Sequence, residues 1–297
     1  MDYRVALRVH ASLGEGLHWD GARSMLWMVD IHGRRLLRWR LDAPEWDEWQ
    51  MPQRIGWVLP EASMGTALVG LQEGIARVEG DHPSQLREWL VRPFGADASM
   101  RLNDAKRDST GAIWCGSLDN DDESRSAGSL YRLGPDRSWT VVDSGYMVAN
   151  GPAISPDERT LLHTDSPRKT IFAFDLDTTS GQAVRRRVWK SFDSSEGYPD
   201  GMTFDAQGTV WIAHWGAGCV SRFDSSGKLI RRFHLPASQI TNVCFCGAGR
   251  DRLFVSSASV GLDAAQREQQ TQAGSLFEIL HIDGATGIQE VLPHHPS

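Results

Sequence analysis

A short phrase that returns at near-constant spacing limits this chain more than any other feature. Each copy is a turn, then a strand-forming run with one bulky residue, then small or polar residues. The copies are GARSMLWMVD at 21–30, GTALVGL at 65–71, GAIWCGSL at 111–118, ERTLLHTD at 158–165, GTVWIAHW at 208–215 and RDRLFVSS at 250–257. Their bulky residues are Trp27, Leu68, Trp114, Leu162, Trp211 and Phe254, roughly 40 to 50 residues apart, the period of a propeller blade. A second strand such as RRLLRWRLD, GSLYRLGP or KTIFAFDLD follows most copies. Helical periodicity is almost absent; LDAAQREQQTQAG at 262–274 is polar throughout and reads as a loop or one short turn. Short strands separated by Gly, Pro, Asp and Ser argue an all-β chain, and six copies argue a six-bladed β-propeller of four-stranded blades. Closure is expected between YRVALRVH at 3–10 and the last strands near 275–292. No low-complexity linker or composition break interrupts 1–297, so a single domain is expected.

Composition removes several function classes. Charged residues make up 23% and the formal charge is -7, so there is no general attraction for phosphate backbones or anionic lipid. The run Arg185-Arg186-Arg187 reads as a solvated strand face rather than a nucleic-acid patch. The N-terminus lacks an apolar stretch of signal length, and no segment approaches the roughly 18 apolar residues of a membrane span. The cysteines Cys115, Cys219, Cys244 and Cys246 show no paired framework and are expected to be reduced thiols of a cytoplasmic protein. Cys244-Phe245-Cys246 is an incomplete zinc set and reads as strand alternation.

The blade reading says where chemistry should gather. Polar residues just before or on the innermost strands meet at the central channel, however far apart they lie in sequence. Glu15, Asn103, Asn150 and Asp200 each stand 11 or 12 positions before the next bulky residue, which puts them at one depth around the axis; Arg101 lies beside Asn103. Two carboxylates with amide oxygens form a hard-oxygen set, suited to Ca²⁺, Mg²⁺ or Mn²⁺, with Fe²⁺ also open. Without a cation, facing carboxylates would repel. Each residue alone also reads as a turn or cap. In Pro199-Asp200-Gly201 the proline presets φ, the aspartate bonds its own backbone and the glycine accepts φ > 0. His163 and His214 follow the bulky residues of their phrases and either reach the channel or pack in the interior. No G-x-S-x-G elbow, H-E-x-x-H, P-loop or G-x-G-x-x-G occurs.

The stretches LGEGLHWD, RLNDAKRDSTGAIWCGSL, NGPAISPD, YPDGMTFDAQGTVWIA and TNVCFCGAGRDRLFVSSA resemble the gluconolactonase, regucalcin and luciferin-regenerating family. The likeness runs from about Leu13 to about Leu262 and is nearest to the bacterial xylono- and arabinono-lactonase type. It implies that Glu15, Asn150 and Asp200 bind one divalent cation (Ca²⁺, Mg²⁺, Mn²⁺ or Zn²⁺, with Fe²⁺ open). It implies that Arg101 and Asn103 orient a sugar lactone, with Asp121 in LDNDDES as the nearest counterpart of a further acidic substrate contact. The reaction it implies is hydrolysis of the lactone to the aldonic acid, with Asp200 also taking a proton from the attacking water. The partner is then a small molecule, with no nucleic acid, membrane or obligate protein. CFCGAG departs from the family's usual CFGG, at a strand turn outside the site. Two rivals share the fold: a metal-dependent phosphotriesterase or arylesterase with a more apolar pocket, and a non-enzymatic calcium-binding or docking propeller.

Overall fold

The computed structural model describes residues 2–61, 65–94 and 99–289. Within them, 24 strands form six antiparallel four-stranded sheets, the blades of a six-bladed β-propeller. The bulky residue of each recurring phrase lies in a different hydrophobic seam between neighbouring blades. Trp27 packs with Ile55 and Val69 of the next blade, and Trp114 with Ala149 and Leu161. Trp211 packs with Ile240 and Val255, and Phe254 closes the ring against Trp19 and Trp39. Leu68 and Leu162 hold the remaining two seams. The repeat is therefore a packing repeat: each sheet is apolar on both faces and must be covered on both sides.

The innermost strands are Gly14–Asp20, Ile55–Pro60, Met100–Arg107, Ala149–Ile154, Tyr198–Phe204 and Ile240–Cys246, in blades one to six. The recurring phrases form the second strand of each blade, and the polar residues lie on the innermost strand that precedes it. An offset of 11 or 12 positions is what one strand, one tight turn and half of the antiparallel return strand occupy. The turn itself is built by aspartate where the phrase carries tryptophan. Asp205 Oδ2 accepts from Trp211 Nε1 at 2.9 Å while Oδ1 accepts from the Thr209 and Gln207 amides. Asp108 does the same for Trp114, at 2.8 Å.

The ring closes as expected from the termini: Tyr3–Leu7 is the outer strand of blade six, paired antiparallel with Leu276–Ile279. The polar segment at 262–274 contains a six-residue helix, Ala264–Gln269, capped by Asp263. Arg185, Arg186 and Arg187 lie exposed on the outer strand of blade four, with ion pairs to Asp175 and Asp143. All four cysteines are free. Among the described residues, no helix is long and apolar enough to cross a membrane.

Candidate functional site

Every innermost strand breaks register with its neighbour at one level. The shifts fall between Glu15 and His18, Ile55 and Trp57, Leu102 and Ala105, Asn150 and Ala153, Pro199 and Met202, and Ile240 and Val243. A bulge inserts a residue without a partner and turns its side chain out of the pleat. In blades three, five and six the unpaired residues include Asn103 with Asp104, Asp200 and Asn242; in blades one and four Glu15 and Asn150 are the last paired residues before the bulge, and together these side chains reach the hub of the ring. Blade two supplies Gly56, where a Cβ would meet the Asn103 carbonyl oxygen at 2.2 Å.

Glycines make this crowding feasible. Gly16 has φ +57, in the left-handed region, and donates its amide to Glu15 Oε2 at 3.2 Å. Gly201 corrects the turn reading: it lies within strand Tyr198–Phe204 and its φ is not positive. It is needed instead for close approach, because a Cβ there would stand 2.5 Å from Asn242 Nδ2.

A directional chain of hydrogen bonds links three blades. Arg101 Nη1 donates to Asn103 Oδ1 at 2.6 Å, and Asn103 Nδ2 donates to Asn150 Oδ1 at 2.6 Å and to the Ala149 carbonyl at 2.9 Å. Asn150 Nδ2 then donates to Ser166 Oγ at 2.9 Å, and Ser166 gives its proton to the Pro199 carbonyl at 2.6 Å, one residue before Asp200. Arginine only donates and a carbonyl only accepts, so the polarity is fixed from both ends. Asn150 Oδ1 therefore faces Asn103 and keeps a second lone pair.

The electrostatics are strained. Burial pushes the Glu15 carboxyl up to about 8, helped by the charge of Asp104 and opposed by its bond from Asn242 Nδ2 at 3.0 Å. Burial holds the Asp200 carboxyl well above the usual carboxylate range, with the Glu15 and Asp104 charges adding to it. Asp104 is raised to about 6, again by burial, against the pull of Lys106. Arg101, wholly enclosed, is lowered to about 10 by desolvation while the charges of Glu123, Glu15 and Asp200 oppose the loss.

The residues singled out from sequence thus divide. Glu15, Arg101, Asn103, Asn150 and Asp200 come together and are buried. Asp121 does not join them: it is exposed, and its carboxylate meets Asn120 Nδ2 at 3.5 Å. Arg101 instead donates to Asn120 Oδ1 at 3.1 Å and feels the charge of Glu123. Asn103 spends its carbonyl and amide on Arg101, Asn150 and the backbone, so it holds its neighbours in place. His163 and His214 lie on second strands and pack in the interior. His163 stands edge-on to Tyr146 at 4.7 Å, and His214 Nδ1 pairs with the Glu196 carbonyl at 2.8 Å. Two hub residues escaped the sequence reading. Asn242 stands 12 positions before Phe254, so the same offset would have found it. Asp104 is the second residue of its bulge and stands 10 positions before Trp114, outside the shared offset.

The donor set suits a hard divalent cation. The Asp104 charge raises the proton affinity of Glu15, both raise that of Asp200, and a double positive charge among them would relieve that cost. Asn150 adds a neutral oxygen of fixed orientation. Among the described residues, no three His, Cys, Asp or Glu side chains form a ready-made metal cage; the set here mixes carboxylates with amides. A separate cavity of about 1030 Å³ opens at the other end of the inner strands, lined by residues such as Leu17, Lys106, Ile154 and Phe245 and by none of the hub residues.

Fold and site together define a six-bladed propeller whose polar hub is assembled from strand bulges. The chain belongs to the SMP-30/gluconolactonase/LRE-like family, whose model matches residues 13–259. It is 30% identical over 284 residues to regucalcin of Danio rerio, covering 93% of this chain and 92% of that one. It is also 30% identical to pentonolactonase XacC of Haloferax volcanii over 273 residues, 90% of each chain. Among solved structures, a calcium-binding regucalcin from Agrobacterium tumefaciens superposes with a TM-score of 0.91 at 25% identity, covering 98% of this chain and 97% of that one.

Proposed function

We propose that the protein hydrolyses a sugar lactone to its open acid, with a divalent cation at the hub. The observation that carries this reading is the meeting of the buried Glu15 and Asp200, beside Arg101, with the half-buried Asp104, which shares Asn242 Nδ2 with Glu15. Relatives named as a pentonolactonase and a putative sugar lactone lactonase support it. Glu15, Asn150 and Asp200 would hold the cation, with Asn242 and Asp104 beside them. When bound, it supplies Lewis acidity toward the ester carbonyl.

The chain's own residues do the remaining work. Asp200 Oδ takes a proton from the attacking water. Arg101 holds substrate oxygens through the donors that Asn103, Asn120 and the Leu102 carbonyl leave free. The bulges place all these groups on rigid strands, so little is reorganised when the ester carbon becomes tetrahedral.

The test is proton release by the purified protein on a panel of pentono- and hexonolactones, with and without chelator. Asp200→Asn should lower kcat by about 10²-fold or more. A variant at the wild-type rate, or turnover of aryl esters and phosphotriesters alone, would count against the reading.

A further inference from the structure

The mouth above the hub gathers basic side chains from three successive blades, of which the two arginines carry the charge. His32 sits in the turn after strand Met25–Asp30 of blade one, held at the mouth because the Ile31 amide donates to the Leu13 carbonyl at 2.9 Å. Arg54 immediately precedes the inner strand of blade two. Arg101 is the second residue of the inner strand of blade three. The three are close enough to repel: Arg101 and Arg54 both disfavour a charge on His32, and Arg54 disfavours the charge on Arg101.

The acids nearby are largely engaged elsewhere. Glu73, on the turn beside Arg54, is taken by Gln53 and Arg92. Asp30 accepts from Arg35 and from the Ser12, Leu13 and Gly33 amides. Glu48 is also bound by Arg35. Glu123 acts on Arg101, which Glu15 and Asp200 already counter from below. The Arg54 guanidinium has neither a hydrogen bond nor an ion pair among the described residues, though it is half-buried. Blade two is also the blade whose bulge, at Gly56, offers no polar side chain. Its chemistry is displaced outward, to Arg54.

We propose that the substrate is a lactone bearing an anionic group away from the ester, with Arg54 and Arg101 receiving that group and His32 at the rim. The lactone of a sugar diacid and a phosphorylated sugar lactone share this chemistry. The planar guanidinium forks suit a carboxylate or phosphate far better than a hydroxyl. The proposal rests on the lactonase reading, which assigns the ester to the hub and the remote end to the mouth.

Two arms test it. The first compares kcat/KM for the lactone of a hexose-derived diacid, its 6-phosphorylated counterpart and the neutral gluconolactone. A charged lactone should be preferred about tenfold or more, and Arg54→Gln should abolish the preference. Whichever charged lactone leads identifies the group as carboxylate or phosphate. The second arm is calorimetric titration with the open-chain diacid, and with the open 6-phosphorylated acid, which needs no turnover. At least one should bind about tenfold more weakly to Arg54→Gln, with the melting temperature unchanged because Arg54 makes no side-chain hydrogen bond. Neutral lactones turned over as well as charged ones would overturn the proposal and leave the lactonase reading standing. No turnover of any lactone, with diacid or phospho-acid binding that still depends on Arg54, would sink the lactonase reading and keep the anion site. Binding of both open acids indifferent to Arg54 would overturn the proposal outright.

Discussion

Ser166 shows how a residue outside the donor set can govern it. Its single proton goes to the Pro199 carbonyl, so toward Asn150 it can only accept, and Asn150 must present Oδ1 rather than NH₂ to the hub. Ser166→Ala removes that constraint and should weaken binding of Ca²⁺ or Mn²⁺ by about tenfold, the usual scale for outer-shell partners. Ser166→Thr keeps the hydroxyl and should retain most of the affinity. Calorimetric metal titration of both variants checks this; equal losses would reduce Ser166 to packing. Much of this level was legible in the sequence. Glu15, Asn103, Asn150 and Asp200 share one offset because each blade repeats one strand and one turn. Ser166 and Asp104 were not legible, since their roles depend on hydrogen-bond direction and on a two-residue bulge. Gly201 was misread for a related reason: Pro-Asp-Gly is turn chemistry by composition, while the glycine here makes room for a side chain from another blade.

At the level of strands and blades, two devices deserve separating. The bulges aim side chains inward, and no local pattern in the sequence announces them, because they are defined by register with a neighbour. The recurring phrases are plain because seams between blades demand a bulky residue once per blade, yet their place as second rather than innermost strands is not legible. Burial is as complete on the second strand as on the first, so apolar content could not tell them apart. Closure depends on blade six, where Glu278 accepts from Arg4 Nε and Arg252 Nε at 2.7 Å each, and Asp42 bridges the same two arginines. Glu278 is buried while the arginines are partly exposed. Glu278→Gln should cost about 2 kcal/mol, less than a fully buried pair because solvent screens the arginines. Urea unfolding measures it; an unchanged midpoint would mean that strand pairing alone holds the ring shut.

For the molecule as a whole, the hub is a source of instability until its charge is compensated. Glu15 rises from its ordinary 4.5 to about 8, so the folded state binds its proton more tightly than the unfolded chain does. Its stabilising share is complete below pH 4.5 and is lost as pH rises through about 8. His163 and His214, lowered by burial to about 3 and about 4, act in the opposite sense, favouring the fold as pH rises toward 6.5. Above 6.5 their effect is finished and that of Glu15 remains. Chelated protein should therefore lose stability between pH 7 and about 8, Glu15 contributing at most about 1.4 kcal/mol per pH unit and the tightly held proton of Asp200 acting in the same direction. Glu15→Gln should flatten the slope, and denaturant melts at several pH values would read it; a rising profile would contradict the assignment.

The most direct measurement is electron paramagnetic resonance of Mn²⁺ titrated into the metal-free chain. The hub predicts one bound ion per chain, released by Ca²⁺ and lost in Asp200→Ala and Glu15→Ala. A free-ion spectrum at every ratio, or binding that survives both substitutions, would contradict a cation held where the six bulges meet.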